Sequence, residues 1–411
     1  MLPVVLIPSP RVKSPVKSPL FWIFLSMCSI YFKEEEVYTW IYRSENINIY
    51  KLAYIFDHHM RGLDVCDHNK VCLVDVDSSI PNLALMKVSS YYKKHQFNVD
   101  LIKLNYTCYE QNKREKVILD GSKYDKVYVS TIFTINKGLV EVDNCSNVYF
   151  GGTGHDGFEP DRNLPKEIEH VFPDYKLYPD NKYSIGYLTR GCIRNCAFCF
   201  IPKKEGFLKL HSQLKEFYNP ELPKIMLLDN NFLASPKCIE LLKELKATNK
   251  KVTFKQGLDF RLLTKEKAEL LSTLNYDGEF IFAFDRYKDR QIIEKNLKEV
   301  WLPLVKPWHT KFFVLVGFDS SLKEDLERVH LLKKYKCLAY VMRHTDCYSS
   351  PNKPFYTDLA SWCNQPPLFK NMTFKEFIKK RHVTKERYEK TIEVVRKNKL
   401  VLVLSNSQPA Y

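Results

Sequence analysis

The chain has 411 residues, of which 45% are hydrophobic and 27% are charged, a composition typical of globular proteins and unlike that of disordered or collagen-like chains. Its 63 lysines and arginines against 48 aspartates and glutamates give a formal net charge of +15, which suits contact with nucleic acid or simply keeps a protein soluble. The longest apolar run, 20–32, is shorter than the roughly 18 residues that a membrane span needs. We therefore predict no membrane partner.

The first 68 residues differ in composition from the rest of the chain. Proline and serine crowd residues 7–19, and an apolar run follows at 20–32. We predict a poorly structured leader over 1–68, or sequence upstream of a start at Met60. A basic start before an apolar run also resembles a secretory signal. We favour a cytoplasmic protein instead, because the chemistry expected of the cysteines requires a reducing compartment.

An α/β pattern begins near residue 70. Pro81 and Asn82 precede a helical pattern that runs through Lys94. The predicted strands around it are 71–76, 97–101, 126–129 and 147–150. Strands that alternate with helices predict a Rossmann-like parallel sheet over residues 69–180. Glycines in 151–154 follow the fourth strand, and we favour a tight turn there over a phosphate cradle, since their spacing fits neither the dinucleotide nor the P-loop motif.

The alternation restarts after residue 180. Six further strands are predicted over 183–188, 224–228, 251–254, 280–284, 312–316 and 338–342. Helical patterns between them cover 238–246, 265–274, 291–300 and 322–334. Six successive strand–helix units predict a (β/α)6 partial TIM barrel over residues 181–345, with its chemistry at the carboxyl ends of the strands.

The remaining residues, 346–411, are predicted to form a basic C-terminal extension. Between residues 366 and 411, eleven lysines and arginines stand against four glutamates, a net charge of +7. Thr373 and Glu376 form a capping-box pattern that predicts a helix start, and the apolar run 400–404 could add an edge strand. The charge makes RNA a possible partner, with a solvated helix as the alternative.

The most informative motif is a group of three cysteines directly after the first strand of the predicted barrel. Cys192, Cys196 and Cys199 have the spacing C-x3-C-x2-C, whereas the other nine of the twelve cysteines are scattered singly. Zinc sites usually pair two Cys-x-x-Cys units, but no second pair is present and His211, the nearest further ligand, lies twelve residues beyond Cys199. Three thiolates without a fourth ligand would leave one iron of an iron–sulfur cube open to a substrate or cofactor.

This segment resembles the radical S-adenosylmethionine (SAM) superfamily, whose signature loop follows the first strand of a (β/α)6 partial barrel. Phe198 before the last cysteine and Gly191 before the first also fit that signature. Over residues 181–345 the resemblance implies a [4Fe–4S] cluster held by the three cysteines, with SAM on the fourth iron. Reductive cleavage of SAM would give a 5′-deoxyadenosyl radical that acts on an unidentified substrate. A one-electron reductant of the flavodoxin or ferredoxin type is the implied partner.

The resemblance also implies cofactor-binding positions after the later strands. The turn after the second strand would hold the SAM amino group, although the common Gly-Gly-Glu is absent and a helix-capping turn is the alternative. Charged residues after the third and fourth strands would meet the carboxylate and ribose, or form a structural ion pair. The fifth and sixth strands would meet the adenine. The positions are Phe198, Asp229, Asn230, Gln256, Asp259, Arg261, Asp285, Gly317 and Met342.

The amino-terminal sheet resembles, in arrangement, the cobalamin-binding domains of one radical SAM subgroup. The loop after its first strand, from Val76, contains Asp77 but no histidine, which rules out an axial-histidine site in that loop. Cobalamin stays possible, but we favour a sheet that serves as a scaffold or reads the substrate. Further clusters are also considered and disfavoured, one from Cys72, Cys108 and Cys145, and one from Cys337, Cys347 and Cys363.

The sequence thus predicts a radical SAM enzyme whose substrate is unassigned. A radical SAM methyltransferase or methylthiotransferase that acts on RNA or another macromolecule is the alternative among enzymes. A non-catalytic iron–sulfur or zinc binding module is the alternative from another class. The absent Gly-Gly-Glu also leaves open a degenerate fold that keeps the cluster without SAM.

Overall fold

The structure is a computed structural model that describes residues 69–106, 115–157, 163–381 and 385–402. In its first part, parallel strands form two sheets. The predictions for residues 1–68 lie outside the described residues. The strands are β1 (Lys70–Asp75), β2 (Asn98–Lys103), β3 (Val117–Asp120), β4 (Lys126–Ser130), β5 (Val140–Asp143) and β6 (Val148–Gly151). Four of them pair in the order β2-β1-β4-β6, and β3 pairs with β5. The four predicted strands are confirmed, whereas β3 and β5 were not predicted.

Strand β1 occupies the middle of the larger sheet because its sequence is apolar on both faces. It pairs in parallel with β2 on one side and with β4 on the other. Such continuous apolar runs are typical of strands covered on both faces. Helix α1 (Leu83–Lys94) crosses this sheet and begins after Asn82, whose side chain accepts a hydrogen bond from the Leu85 amide. Short helices α2 (Thr153–Asp156) and α3 (Lys166–Glu169) follow.

Six parallel strands of four to seven residues follow, in the places where the sequence predicts them, and we call them the long strands to distinguish them from the two-residue strands β8 and β9. The strands of this region are β7 (Tyr183–Gly186), β8 (Thr189–Arg190), β9 (Lys209–Leu210), β10 (Lys224–Leu227), β11 (Lys251–Phe254), β12 (Phe280–Ala283), β13 (Thr310–Val316) and β14 (Leu338–Arg343). Two three-stranded sheets have the orders β7-β10-β11 and β12-β13-β14. Backbone hydrogen bonds join the two sheets, since the Leu258 amide donates to the Ile281 carbonyl at 2.8 Å and the Leu258 carbonyl accepts from the Ala283 amide at 3.0 Å. The described chain is therefore mixed α/β with several parallel sheets.

Helices lie between and after these strands, close to the predicted bounds. They are α4 (Ile201–Glu205), α5 (Cys238–Ala247), α6 (Lys265–Ser272), α7 (Arg290–Asn296), α8 (Leu322–Lys334), α9 (Lys353–Cys363), α10 (Pro366–Asn371), α11 (Phe374–Arg381) and α12 (Lys385–Lys397). Ser321 and Glu324 form a capping box at the start of α8. Among the described residues, no helix has both the length and the apolar character needed to cross a membrane.

The basic C-terminal segment packs into the same apolar core as the long strands. Trp362, Phe369 and Phe374 are fully buried there. The predicted capping box is confirmed, because the Glu376 amide donates to Thr373 Oγ1 at 3.2 Å. No strand forms over the described part of 400–404, because the Leu400 amide donates to the Val395 carbonyl at 3.0 Å and closes the end of α12. Residues 403–404 lie outside the described residues.

The core of the amino-terminal sheet continues into the first strands of the second region. Ile185 of β7 and Leu228 beyond β10 pack in one apolar cluster with Val71, Leu73 and Met86. This apolar contact explains how the two regions are held together. The domain boundary between residues 180 and 181 stays a prediction. Burying such side chains contributes about 25 cal/mol for each Å² of apolar surface.

A buried ion pair lies beneath the carboxyl ends of β12 and β13. Arg328 and Asp325 on α8 are both fully buried and their side chains lie 2.5 Å apart. The Arg328 guanidinium also donates to the carbonyls of Phe284 and Leu315, at 2.8 and 2.7 Å. Asp325 accepts from the Gly317 amide at 3.0 Å. The pair therefore ties helix α8 to the ends of two strands.

His330 on the same helix makes stability depend on pH. Burial, together with the positive charge of Lys333, lowers the pKa of His330 to about 4. The unfolded chain, with an ordinary histidine pKa of about 6.5, therefore binds more protons between pH 6.5 and 4, so stability is lost as the pH falls through this window. We expect His330→Gln to flatten this acid-side loss, which amounts to at most about 3 kcal/mol. Thermal unfolding midpoints of both proteins from pH 7 to 4 measure it, and parallel curves would contradict the assignment.

Candidate cysteine site at the carboxyl ends of the strands

The three cysteines lie on a loop that is closed at its base by backbone contacts. Strands β8 and β9 pair antiparallel on either side of it, and the Cys192 amide donates to the Gly206 carbonyl at 3.2 Å. Gly191 has φ +80°, and a Cβ there would lie 2.4 Å from the Phe207 carbonyl oxygen. Only glycine combines this backbone conformation with so close a contact. The glycine before the first cysteine is thus explained by the closure of the loop.

Glu205 holds both ends of this loop together. Its half-buried carboxylate accepts hydrogen bonds from Arg190 Nη2 at 3.1 Å, from the Gly191 amide at 3.2 Å and from Asn230 Nδ2 at 2.6 Å. Burial raises the pKa of Glu205, but these bonds and the Arg190 charge outweigh it and hold the pKa below its usual value. The carboxylate is therefore ionised near neutral pH and joins the residues on both sides of the cysteines to the turn after β10.

A second carboxylate, Glu169, lies on the other side of Arg190, at 3.6 Å. It accepts from His211 Nε2 and from Lys87 Nζ, both at 3.0 Å. Burial raises the pKa of Glu169, but these partners lower it to about 2. Because the His211 ring nitrogen is bonded to Glu169, the structure gives His211 a role in this ion network. The network joins helix α1 to the start of the cysteine loop.

The thiols of the loop are free and partly buried. Two N–H groups donate to Cys192 Sγ, the Arg194 amide and Asn231 Nδ2, each at 3.3 Å. Burial raises the pKa of Cys196, while the positive charges of Arg286 and Arg261 act to lower it. In the described part of the chain, no group of three or more His, Cys, Asp or Glu side chains is placed so that it could hold a metal ion. The three thiols thus share one loop without forming a site for a single ion.

Three polar residues follow β10, and their side chains take different directions. Asp229 accepts from the amides of Leu188 and Thr189, at 3.1 and 2.6 Å. Burial raises its pKa to about 6, although these bonds act to lower it. Asn230 binds Glu205, whereas Asn231 is 3% exposed, and its buried Oδ1 has no hydrogen-bond partner among the residues that the structure describes. Sequence reasoning chose Asp229 and Asn230 and missed Asn231, the one of the three that contacts a cysteine.

A chain of alternating charges runs from the cysteine loop across the turns after β11 and β12. Arg194 binds Asp259 at 3.1 Å, and Asp259 binds Arg261 at 2.6 Å. Asp289 accepts from both Arg261 and Arg286, at 2.8 and 3.1 Å. The ion pair considered for Asp259 and Arg261 is therefore present, and Arg194 is a partner that the sequence did not indicate. Such a row of arginines next to thiols favours negative charge at this end of the strands.

The other predicted cofactor positions lie at the same ends of the strands but have separate surroundings. Asp285, after β12, accepts from the Leu315 amide at 3.2 Å, and burial raises its pKa to about 6. The ring of Phe198 meets Phe318 edge to face at 5.7 Å, so the cysteine loop reaches the turn after β13. Gly317 in that turn binds Asp325. Gln256 is exposed, and Met342 is half-buried in β14.

The cysteines considered for further clusters lie in apolar surroundings. Cys72 lies in the core of the amino-terminal sheet, where burial raises its pKa to about 11, and the half-buried Cys145 packs against that core. Cys108 lies outside the described residues. The carboxyl-terminal three are buried in the main core; these are Cys337, Cys347 and Cys363. Buried cysteines of this kind behave as small apolar side chains.

The loop after β1, where cobalamin proteins of one type carry their histidine, is occupied by structural contacts. Asp77 accepts from the amides of Ile132 and Phe133, at 2.7 and 2.9 Å, and from Asn136. The Gly152 position in the glycine cluster allows close packing, because a Cβ there would lie 2.4 Å from the Thr131 carbonyl oxygen. Both observations show close contacts between the loops at this edge of the sheet.

The loop after β8 therefore brings together three thiols, the Glu205 carboxylate and a row of arginines at the carboxyl ends of parallel strands. No protein-family model matches the chain, and no curated protein matches it significantly.

Proposed function

We propose that the protein is a radical SAM enzyme, in which Cys192, Cys196 and Cys199 hold a [4Fe–4S] cluster and SAM is cleaved reductively to act on an unidentified substrate. The observation that supports this most is the placement of the cysteine loop. It follows the first of six long parallel strands, and polar side chains from the turns after the next three strands lie around it. Active sites of strand–helix barrels gather at this end.

The donor chemistry of the loop fits an iron–sulfur cluster better than a single ion. Thiolates are the usual ligands of such clusters, and each binds a different iron, so three thiols need not converge on one point. Arg261 and Arg286 place positive charge near Cys196 and so oppose the burial that raises the pKa of this thiol. The N–H groups directed at Cys192 Sγ suit a sulfur that carries negative charge.

The buried oxygen of Asn231 fits the amino group of SAM. Asn231 Oδ1 has no hydrogen-bond partner in the described structure, yet a buried acceptor left unpaired costs about 1–3 kcal/mol. An ammonium group beside Cys192 would satisfy it. The neighbouring arginines would orient a carboxylate, and Phe198 and Phe318 would help to exclude water from the site. When bound, the cluster supplies the electron with which SAM is cleaved.

For the fold, we propose that the six long strands form a (β/α)6 partial TIM barrel and that the amino-terminal sheet is Rossmann-like. The six strands succeed one another in chain order and all run parallel, as a barrel requires. The order β2-β1-β4-β6 is that of an open parallel sheet with its first strand inside. For the location we propose the cytoplasm, where thiols stay reduced and a flavodoxin or ferredoxin could supply electrons.

The proposal is tested by anaerobic reconstitution with iron and sulfide, followed by addition of dithionite and SAM. We expect about four irons per chain and the formation of 5′-deoxyadenosine. One zinc per chain in place of iron would contradict the proposal and favour a binding module. An intact cluster that neither binds SAM nor yields the nucleoside would favour the degenerate fold, whereas S-adenosylhomocysteine would favour methyl transfer.

Replacing Glu205 by glutamine is expected to loosen the cysteine loop. The substitution keeps the size of the side chain but removes the charge that binds Arg190 and the Gly191 amide. We expect cluster iron to be lost to a chelator several-fold faster than from the wild type, since second-layer contacts commonly change metal affinity by about 10–100-fold. Glu216→Gln is the control, because Glu216 pairs with His170. Equal rates of iron loss from Glu205→Gln and from the wild type would contradict the role of Glu205 in holding the cysteine loop.

A further inference from the structure

The sulfur of Cys192 accepts two hydrogen bonds. One comes from the Arg194 amide, which belongs to the loop itself. The other comes from Asn231, 39 residues farther along the chain, whose Nδ2 lies 3.3 Å from the sulfur. A side chain from another strand end is thus directed at one thiol of the loop.

Asn231 is held in this position by its surroundings. Its side chain is 3% exposed, so it cannot turn away into water. The preceding Asp229 is anchored by the amides of Leu188 and Thr189, at 3.1 and 2.6 Å. These two residues lead directly into β8 and the cysteine loop. The distance between the Asn231 amide and the Cys192 sulfur is therefore set by the same contacts that join β7 to β10.

We infer that Asn231 is a positioning residue that raises the reduction potential of the cluster through its N–H···S bond to Cys192, an inference that rests on the proposed function. Reduction adds negative charge to the cluster, and part of it resides on the thiolate sulfurs. An N–H dipole directed at such a sulfur stabilises the reduced form more than the oxidised form. Hydrogen bonds to the sulfurs are among the factors that set the potentials of iron–sulfur clusters.

The test is an anaerobic redox titration of the reconstituted protein, followed by electron paramagnetic resonance. Asn231→Leu has a similar volume but donates no hydrogen bond, so we expect its midpoint potential to become more negative than that of the wild type. At a fixed excess of dithionite, a smaller fraction of the variant should be reduced. Asn296→Leu is the control, since Asn296 is half-buried and its side chain donates to the Phe260 carbonyl, and we expect no shift from it.

A second variant keeps the test decisive if leucine disturbs the loop. Asn231→Ser is small, is too short to reach the sulfur and should give the same negative shift. An unchanged or more positive midpoint potential in a variant that keeps its cluster would overturn the inference. Loss of the cluster from both variants would also overturn it, because Asn231 would then have a purely structural role. Failure of the proposed function is seen separately in the wild type, which would then form no cluster or would form one that does not cleave SAM.

Discussion

Cys196→Ala is expected to abolish cluster binding and SAM cleavage while the protein stays folded. The loop is closed by Glu205 and by the contact between the Cys192 amide and Gly206, so its base does not depend on the thiol of Cys196. Truncation of a half-buried cysteine in a loop should change the free energy of unfolding by about 1 kcal/mol or less. The expected result is thus complete loss of iron and of 5′-deoxyadenosine with a nearly unchanged unfolding midpoint.

The matched control is Cys145→Ala, which removes a free and partly buried thiol from the amino-terminal sheet. This variant should keep its iron and the brown colour of the cluster. Iron at the wild-type level in Cys196→Ala would refute the assignment of Cys196 as a ligand. Loss of iron from Cys145→Ala as well would instead indicate a requirement for the amino-terminal sheet.

Arg328→Met is expected to destabilise the protein by about 3–5 kcal/mol, because it leaves the buried carboxylate of Asp325 without its partner charge. The substitution also removes the donors to the Phe284 and Leu315 carbonyls at the ends of β12 and β13. Urea unfolding followed by circular dichroism should show a midpoint at clearly lower denaturant than for the wild type. The double variant Arg328→Met with Asp325→Asn should recover part of this loss, since the uncompensated charge is gone.

A surface pair provides the comparison for this prediction. Lys390 and Glu386 lie 2.7 Å apart on α12, and both side chains are largely exposed. Exposed pairs of this type contribute little, so Glu386→Gln should leave the urea midpoint unchanged. If Arg328→Met behaved like Glu386→Gln, the buried pair would not be the link between α8 and the strands that its contacts indicate.

The elements of the fold were predictable where the local pattern is strong. The apolar segment 312–316 lies within β13, and the helical pattern 322–334 coincides with α8. In the missed strands β3 and β5 every second residue is exposed, and of the remaining residues only Val140 is buried. The apolar run at 400–404 suggested an edge strand, which its described part does not form. The direction of the Leu400 amide, which decides between helix end and strand pairing, depends on the preceding helix.

The site was predictable in its thiols and unpredictable in the groups that surround them. The sequence shows three polar residues after β10, but their side chains point to Thr189, to Glu205 and to Cys192 respectively. Composition and spacing are the same whichever of the three faces the cysteines. The choice of Asp229 and Asn230 over Asn231 could therefore be resolved only by the side-chain directions.

By itself the sequence determined the cysteine spacing, the glycine before it and the order of strands and helices, because each of these depends on residues close together in the chain. Only the tertiary structure decided which distant groups meet the cysteine loop. Arg194 and Asp259 are 65 residues apart, and Cys192 and Asn231 are 39 apart. Such pairs form because parallel strands bring their carboxyl ends to the same edge, and the packing beneath them sets which side chain of each turn points inward.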